Sequence, residues 1–111
     1  MASSPTQRTL AECRKRGWPC QVVEHWNQYA RIRQDLFGFG DIIALDGKPG
    51  CLLIQATSTG NMSSRVHKIE ENEIAPQWLA AGNRIQVWGW AKRGPAGKRK
   101  AWTLKEQEIT G

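Results

Sequence analysis

Two short apolar runs, Ile42-Ile43-Ala44-Leu45 and Cys51-Leu52-Leu53-Ile54, are separated only by Asp46-Gly47-Lys48-Pro49-Gly50. Continuous β-branched and aliphatic runs of this length suit strands buried on both faces. The turn-rich string between them folds the pair into an antiparallel hairpin. A chain of 111 residues then has room for one domain over residues 1–111, a small sheet with two or three helices around it. All three aspartates, Asp35, Asp41 and Asp46, cluster around the first run. Asp41 stands at its head, where the buried sheet ends, and the exit of the second run, Gln55-Ala56-Thr57, is brought near it.

The flanking segments supply the remaining elements. Ser4-Pro5-Thr6-Gln7 is a helix start, with Ser4 as N-cap, Pro5 at the first helical position and Gln7 closing a capping box; Gly17 is the stop. Leu10 and Cys13 give that helix a narrow apolar stripe, with Glu12 beside it. Gln21 to Trp26 alternates at period two and predicts a first strand, and Asn27 to Gln34 reads as a polar, arginine-bearing connection. After the hairpin strands, Gly40–Leu45 and Cys51–Thr57, Asn61 or Ser63 caps a helix carrying Val66 and Ile69 inward, with Arg65 and Lys68 beside that face. Pro76 opens either a further short helix or a kinked extension of the preceding one, which Gly82 ends. Arg84–Ala91 alternates as a strand, Gly94-Pro95-Ala96-Gly97 turns, and Lys100–Ile109 returns as an edge strand. The order α-β-β-β-α-β-β predicts an antiparallel meander joined by a right-handed parallel crossover to Arg84–Ala91, hence a mixed sheet.

Composition narrows the function. The formal net charge of +6 and the pI near 9.7 point to a polyanionic partner. Arg84, Lys92, Arg93, Lys98, Arg99, Lys100 and Lys105 fall in one stretch without an acidic residue, interleaved with Trp88, Trp90 and Trp102. The tryptophans read as sheet packing and the basic residues as a phosphate-contacting surface. The first dozen residues lack the apolar core of a signal peptide and no apolar run approaches membrane-spanning length, so the expectation is a cytoplasmic, intracellular protein with no membrane partner. Cys13, Cys20 and Cys51 lack zinc spacing and read as small buried hydrophobes in a reducing compartment. His25 and His67 read as surface or packing residues, because neither belongs to a paired metal spacing. Asp46 reads as a turn residue, as does Asp35, the better placed of the two for a supporting role.

An acid-bearing helix, a meander with Asp at one strand and a polar motif at the next strand's exit, then a helix with basic residues, resembles the PD-(D/E)XK nuclease fold of restriction endonucleases and Holliday-junction resolvases. The resemblance is nearer to small phage and bacterial proteins of that fold carrying a DLFGF-x-D strand, a Q-x-T-S strand end and an R-x-x-K-I helix. Here these are Asp35 to Asp41, Gln55-Ala56-Thr57-Ser58 and Arg65-Val66-His67-Lys68-Ile69. The resemblance spans Leu10 to Ile109. It implies a restriction-endonuclease-like αβββαβ core, its mixed sheet flanked by helices, with an extra C-terminal strand, and a Mg²⁺- or Mn²⁺-dependent endonuclease acting on duplex or branched DNA.

By the same resemblance Asp41 is the charged metal ligand, and Gln55 takes the place of the motif's second acid with a neutral amide oxygen. The carbonyl of Ala56 and the carboxylate of Glu12 are further implied ligands. Thr57 stands where the superfamily has a lysine, which no hydroxyl replaces in charge; Lys68 is the candidate to bring an ammonium to that place, and Arg65 to clamp a phosphate. Nucleic-acid contacts fall to Arg65, Lys92, Arg93, Lys98, Arg99 and Lys100. Gln55 and Thr57 leave open a catalytically silent nucleic-acid-binding module on the same fold, and a protein-interaction subunit is a third reading. Cutting two strands usually takes two sites, so a homodimer is expected.

Overall fold

The structure, a computed structural model, describes residues 4–94 and 100–110. It is built on a mixed five-stranded sheet in the order β1-β4-β5-β6-β7, from Cys20–Val22 (β1), Ile42–Ala44 (β4), Leu52–Ser58 (β5), Arg84–Arg93 (β6) and Ala101–Ile109 (β7). The pairing of β5 with β6 is parallel and the other pairings are antiparallel. His25–Asn27 (β2) and Ile32–Gln34 (β3) make a separate antiparallel pair. The expected meander, parallel crossover, mixed sheet and helical cover are therefore present, with β7 at one edge.

Side-chain alternation sends Leu53, Ile85 and Val87 to one face of the sheet and Leu52, Ile54, Trp88 and Trp90 to the other,. The first face is covered by helices α2 (Met62–Glu70) and α3 (Ala75–Ala80), whose Met62, Ile69 and Ala75 join that core. The second is covered by helix α1 (Pro5–Lys15) through Cys13 and Leu10. Helix α1 begins with the expected capping box, Ser4 and Gln7 exchanging 3.2 Å bonds. Thr9, outside the apolar stripe, is fully buried because its hydroxyl accepts from Trp90 Nε1 at 2.9 Å. Trp88 is buried and Trp90 nearly so, as sheet packing predicts, whereas Trp102 is 43% exposed.

Three sequence readings need correction. The single strand expected over Gln21–Trp26 breaks: after Val22 the chain makes one more sheet bond, Val23 N–H to the Asp41 carbonyl at 2.8 Å, and then leaves the sheet to enter β2. The polar connection Asn27–Gln34 contains the return strand β3. Neither Asn61 nor Ser63 caps α2 by the expected side-chain bond, since a 3₁₀ turn over Thr59–Asn61 leads into the helix. Among the described residues no helix is long and apolar enough to cross a membrane. Of the three cysteines expected to be buried only Cys13 is; Cys20 and Cys51 are half-buried, and all three are free thiols.

Candidate functional site

Asp35 and Asp41 are brought together by the loop between them. Leu36 and Gly40 bridge, with Leu36 N–H to Gly40 O at 2.8 Å and Gly40 N–H to Leu36 O at 2.9 Å. The bridge closes over Phe37 and Gly38, both at positive φ, 54° and 85°, the backbone of a primed turn. Glycine takes this region freely, but for Phe37 it costs about 1 kcal/mol. The position is held from outside: Asn72, between α2 and α3, donates its Nδ2 to the Phe37 carbonyl at 2.9 Å, and the Phe37 ring packs against Trp78 with centroids 6.2 Å apart.

Asp41 is 3% exposed. Its Oδ2 accepts from Gln55 Nε2 at 2.7 Å and from the Ala56 N–H at 2.8 Å. The Asp41, Gln55 and Ala56 of the sequence reading therefore do converge, at the open end of the β4–β5 hairpin. Ala56 contributes a donated N–H to Asp41. Gln55 is equally buried, and its Oε1 has no hydrogen-bond partner among the described residues.

The second acidic group expected from helix α1 comes from elsewhere. Glu24, Asp35 and Asp41 each place a carboxylate oxygen within 4.8 Å of the others. Glu12 is excluded by topology: α1 covers the face lined by Ile42 and Ile54, whereas alternation puts Asp41, Gln55 and Thr57 on the face of Ile43 and Leu53,. The Glu12 carboxylate is held instead by Arg16 Nε at 2.8 Å, and Arg16 also forks onto Glu106 with two 3.1 Å bonds. Glu24 was hidden in the sequence because it occupies a polar position in an alternating stretch; the only local signal is the Val22-Val23 doublet that interrupts the alternation just before it.

Burial pushes the Asp41 carboxyl up to about 8; a hydrogen bond with the Asp35 carboxyl adds to the rise, the Ala56 N–H opposes it, and the charges of Asp35 and Glu24 raise it further,. Lys68 reaches the same place, its Nζ 3.5 Å from Asp35 Oδ2, so the basic residue expected from the second helix faces the acids. Arg65, one turn earlier, is half-buried and has no ion pair among the described residues. Thr57 is 4% exposed on the Gln55 face. His25, Arg33, Gln34, Asp35, Gly38 and Lys68 line an open hollow of about 430 Å³ at the cluster. His67 is an outlying residue, paired with Glu71 at 2.9 Å.

A divalent cation, which the resemblance implies, fits this donor set. Three carboxylates and an unpartnered amide oxygen are hard oxygen donors of the kind Mg²⁺ and Mn²⁺ take. The basic surface is divided. Arg84 is committed to Asp46, with Nη1 to Oδ2 at 2.7 Å and Nη2 to Oδ1 at 2.5 Å, which corrects its reading as a phosphate contact; Asp46 is the turn residue expected, its Oδ1 also accepting from the Lys48 N–H at 3.2 Å. Lys92 and Arg8 lie over the Trp102 ring, 5.4 and 3.5 Å from its centroid, and Lys100 lines a separate hollow with Lys92 and Trp102, away from the acid cluster. Arg93 and Lys105 line another beside Ser63 and His67. Lys98 and Arg99 lie outside the described residues. No family model, curated protein or solved structure matches this chain.

Proposed function

We propose that this protein is a metal-dependent DNA endonuclease of the PD-(D/E)XK type, with Asp41, Asp35, Glu24 and Gln55 as its metal-holding group. The observation that carries the reading is the convergence of three carboxylates within 4.8 Å beside a buried amide oxygen that has no partner. Crowded carboxylates repel and a desolvated one is expensive to ionise, so the group gains most from a cation. A bound Mg²⁺ or Mn²⁺ would supply Lewis acidity and an acidified water.

The side chains divide the remaining work. Asp41 is fixed by two donors and cannot swing out of the site. Lys68 is held by Asp35 with its ammonium toward the hollow, where it stabilises charge developing on a phosphate oxygen,. It thereby takes over from the lysine that Thr57 replaces. Arg65 on the same helix can donate bidentately to a phosphate, and Arg93, in the hollow against α2, extends the cationic surface on that side of the sheet, whereas Lys92 and Lys100 beside Trp102 lie on the α1 side,.

A second reading has its own support: the bonds from Gln55 and Ala56 to Asp41, with Lys68 against Asp35, satisfy much of the cluster without any cation. On that reading the protein binds DNA without cutting it. Incubation with duplex, branched and single-stranded DNA, each with Mg²⁺ and with Mn²⁺, separates the two. The nuclease reading expects cleavage that Asp41→Ala abolishes; no cleavage of any form with either metal leaves the binding module.

A further inference from the structure

Between Glu24 and Asp35 the chain makes the β2–β3 hairpin, which among the described residues pairs with no strand of the main sheet. Trp26 is 59% exposed, Ile32 51% and Tyr29, at the tip, 92%. The tip is nonetheless built firmly. Asn27 Oδ1 accepts from the N–H groups of Tyr29 and Ala30, both at 3.0 Å, and the Arg31 N–H closes onto the Asn27 carbonyl at 2.7 Å. Trp26 lies directly across from Arg33, so the ring and the guanidinium share one face,. Arg33 Nη1 also reaches Glu24 Oε1 at 3.2 Å, which ties that face to the acid cluster.

Charge is segregated along the hairpin. Its outer part, residues 25–34, carries Arg31 and Arg33 and no acid; the acids begin at its foot with Glu24 and Asp35. Exposed aromatic rings beside arginines match single-stranded nucleic acid, whose unpaired bases stack on rings while its phosphates meet cations. A ribbon of three-residue strands offers far less than the roughly 800 Å² per partner of a stable protein interface, while a base needs only one ring. Duplex bases are already stacked on one another and offer no free face.

We propose that the β2–β3 hairpin is a stacking finger for unpaired DNA, with Trp26 and Tyr29 receiving bases and Arg31 and Arg33 the adjoining phosphates. The strand is thereby delivered to the Glu24–Asp35–Asp41 cluster at the finger's foot. This rests on the nuclease reading only in choosing DNA as the polyanion, and it names single-stranded or branched DNA as the substrate class.

The test is fluorescence anisotropy with dye-labelled single-stranded, forked and fully duplex DNA in EDTA, so that binding is read whether or not the protein can cut. Trp26→Ala and Tyr29→Ala should each weaken binding of the single-stranded and forked DNA by about tenfold or more, with duplex binding little changed and Trp26→Phe restoring most of the loss. Asp41→Ala should still bind the fork, which separates failure of the finger from failure of the catalytic reading. Equal fork binding by wild type and the Trp26→Ala/Tyr29→Ala double variant overturns the proposal, as does an equal loss on duplex, which would make the hairpin a groove-reading ribbon. A change of oligomeric state in the double variant with fork binding intact overturns it in favour of self-association.

Discussion

Gln55 Nε2 donates to Asp41 Oδ2 at 2.7 Å, and the same amide thereby turns its Oε1 into a buried position without a partner. One side chain both satisfies the aspartate and carries an unused acceptor. Rotating the amide would present oxygen toward Asp41, an arrangement that suits a cation between them and is unfavourable without one. Gln55→Glu should therefore tighten Mn²⁺ binding by about one to two orders of magnitude, since charge count is a main lever on oxygen sites. Isothermal titration calorimetry reads this directly, and unchanged affinity removes residue 55 from the ligand set.

Asp41 gives a pH dependence of definite sign in metal-free protein. Its folded-state value is raised from 3.8 to about 8, so across that window the folded chain holds a proton that the unfolded chain has released. Unfolding then releases a proton, and stability falls as pH rises. The Tm in EDTA should decline between about pH 5 and pH 8, and Asp41→Asn should flatten the decline. Identical slopes for both proteins would show that another group governs the titration.

Lys68 separates chemistry from binding. Lys68→Ala should lower the single-turnover cleavage rate by about a hundredfold, the order lost with one transition-state donor. DNA affinity should fall much less, because one phosphate contact is a small share of the electrostatic attraction. Cleavage at the normal rate would leave Lys68 as nothing more than Asp35's partner.

The Asp46–Arg84 fork belongs to the scaffold, and its loss should leave DNA affinity unchanged. It joins the β4–β5 turn to the start of β6, with Arg84 Nε also on the Pro49 carbonyl at 3.2 Å. Asp46→Ala should lower the unfolding free energy in urea by about 2 kcal/mol, the scale of hydrogen bonds to charged groups. Arg84 holds the Asp46 carboxyl below its ordinary value, so this contribution is present above the usual carboxylate range and disappears as pH falls through the folded value. A drop in DNA affinity without a drop in stability would return Arg84 to the phosphate surface.

What the sequence disclosed about the site followed from contacts close along the chain. Asp41, Gln55 and Ala56 meet because the Ile42 and Ile54 runs are adjacent strands of one short hairpin, and apolar runs with a turn between them announce that pairing,. Lys68 and Arg65 were legible as helix positions beside the Val66 and Ile69 face. Glu24 was not, because its placement depends on where the first strand stops, and that is decided by a backbone bond from Val23 to Asp41 that period-two alternation does not encode. Glu12 failed for the complementary reason: a helical stripe says which residues face a sheet but not which face of the sheet the helix covers. The side-chain bond of Thr9 to Trp90 was equally invisible, since it joins residues at opposite ends of the chain.

The register of β2 with β3 pairs His25 with Gln34, which makes Glu24 and Asp35 the next positions down. The ladder thus works as a gauge for the gap between the two acids, and its setting is independent of how far the hairpin extends. Each pair of residues added in step lengthens the projection by about 3.4 Å and leaves the foot where it was, whereas one residue inserted into a single strand turns its side chains to the opposite face. Reach and chemistry are therefore separable: a change in what residues 28–31 touch, or in how far out they touch it, leaves the spacing of Glu24 and Asp35 as it was.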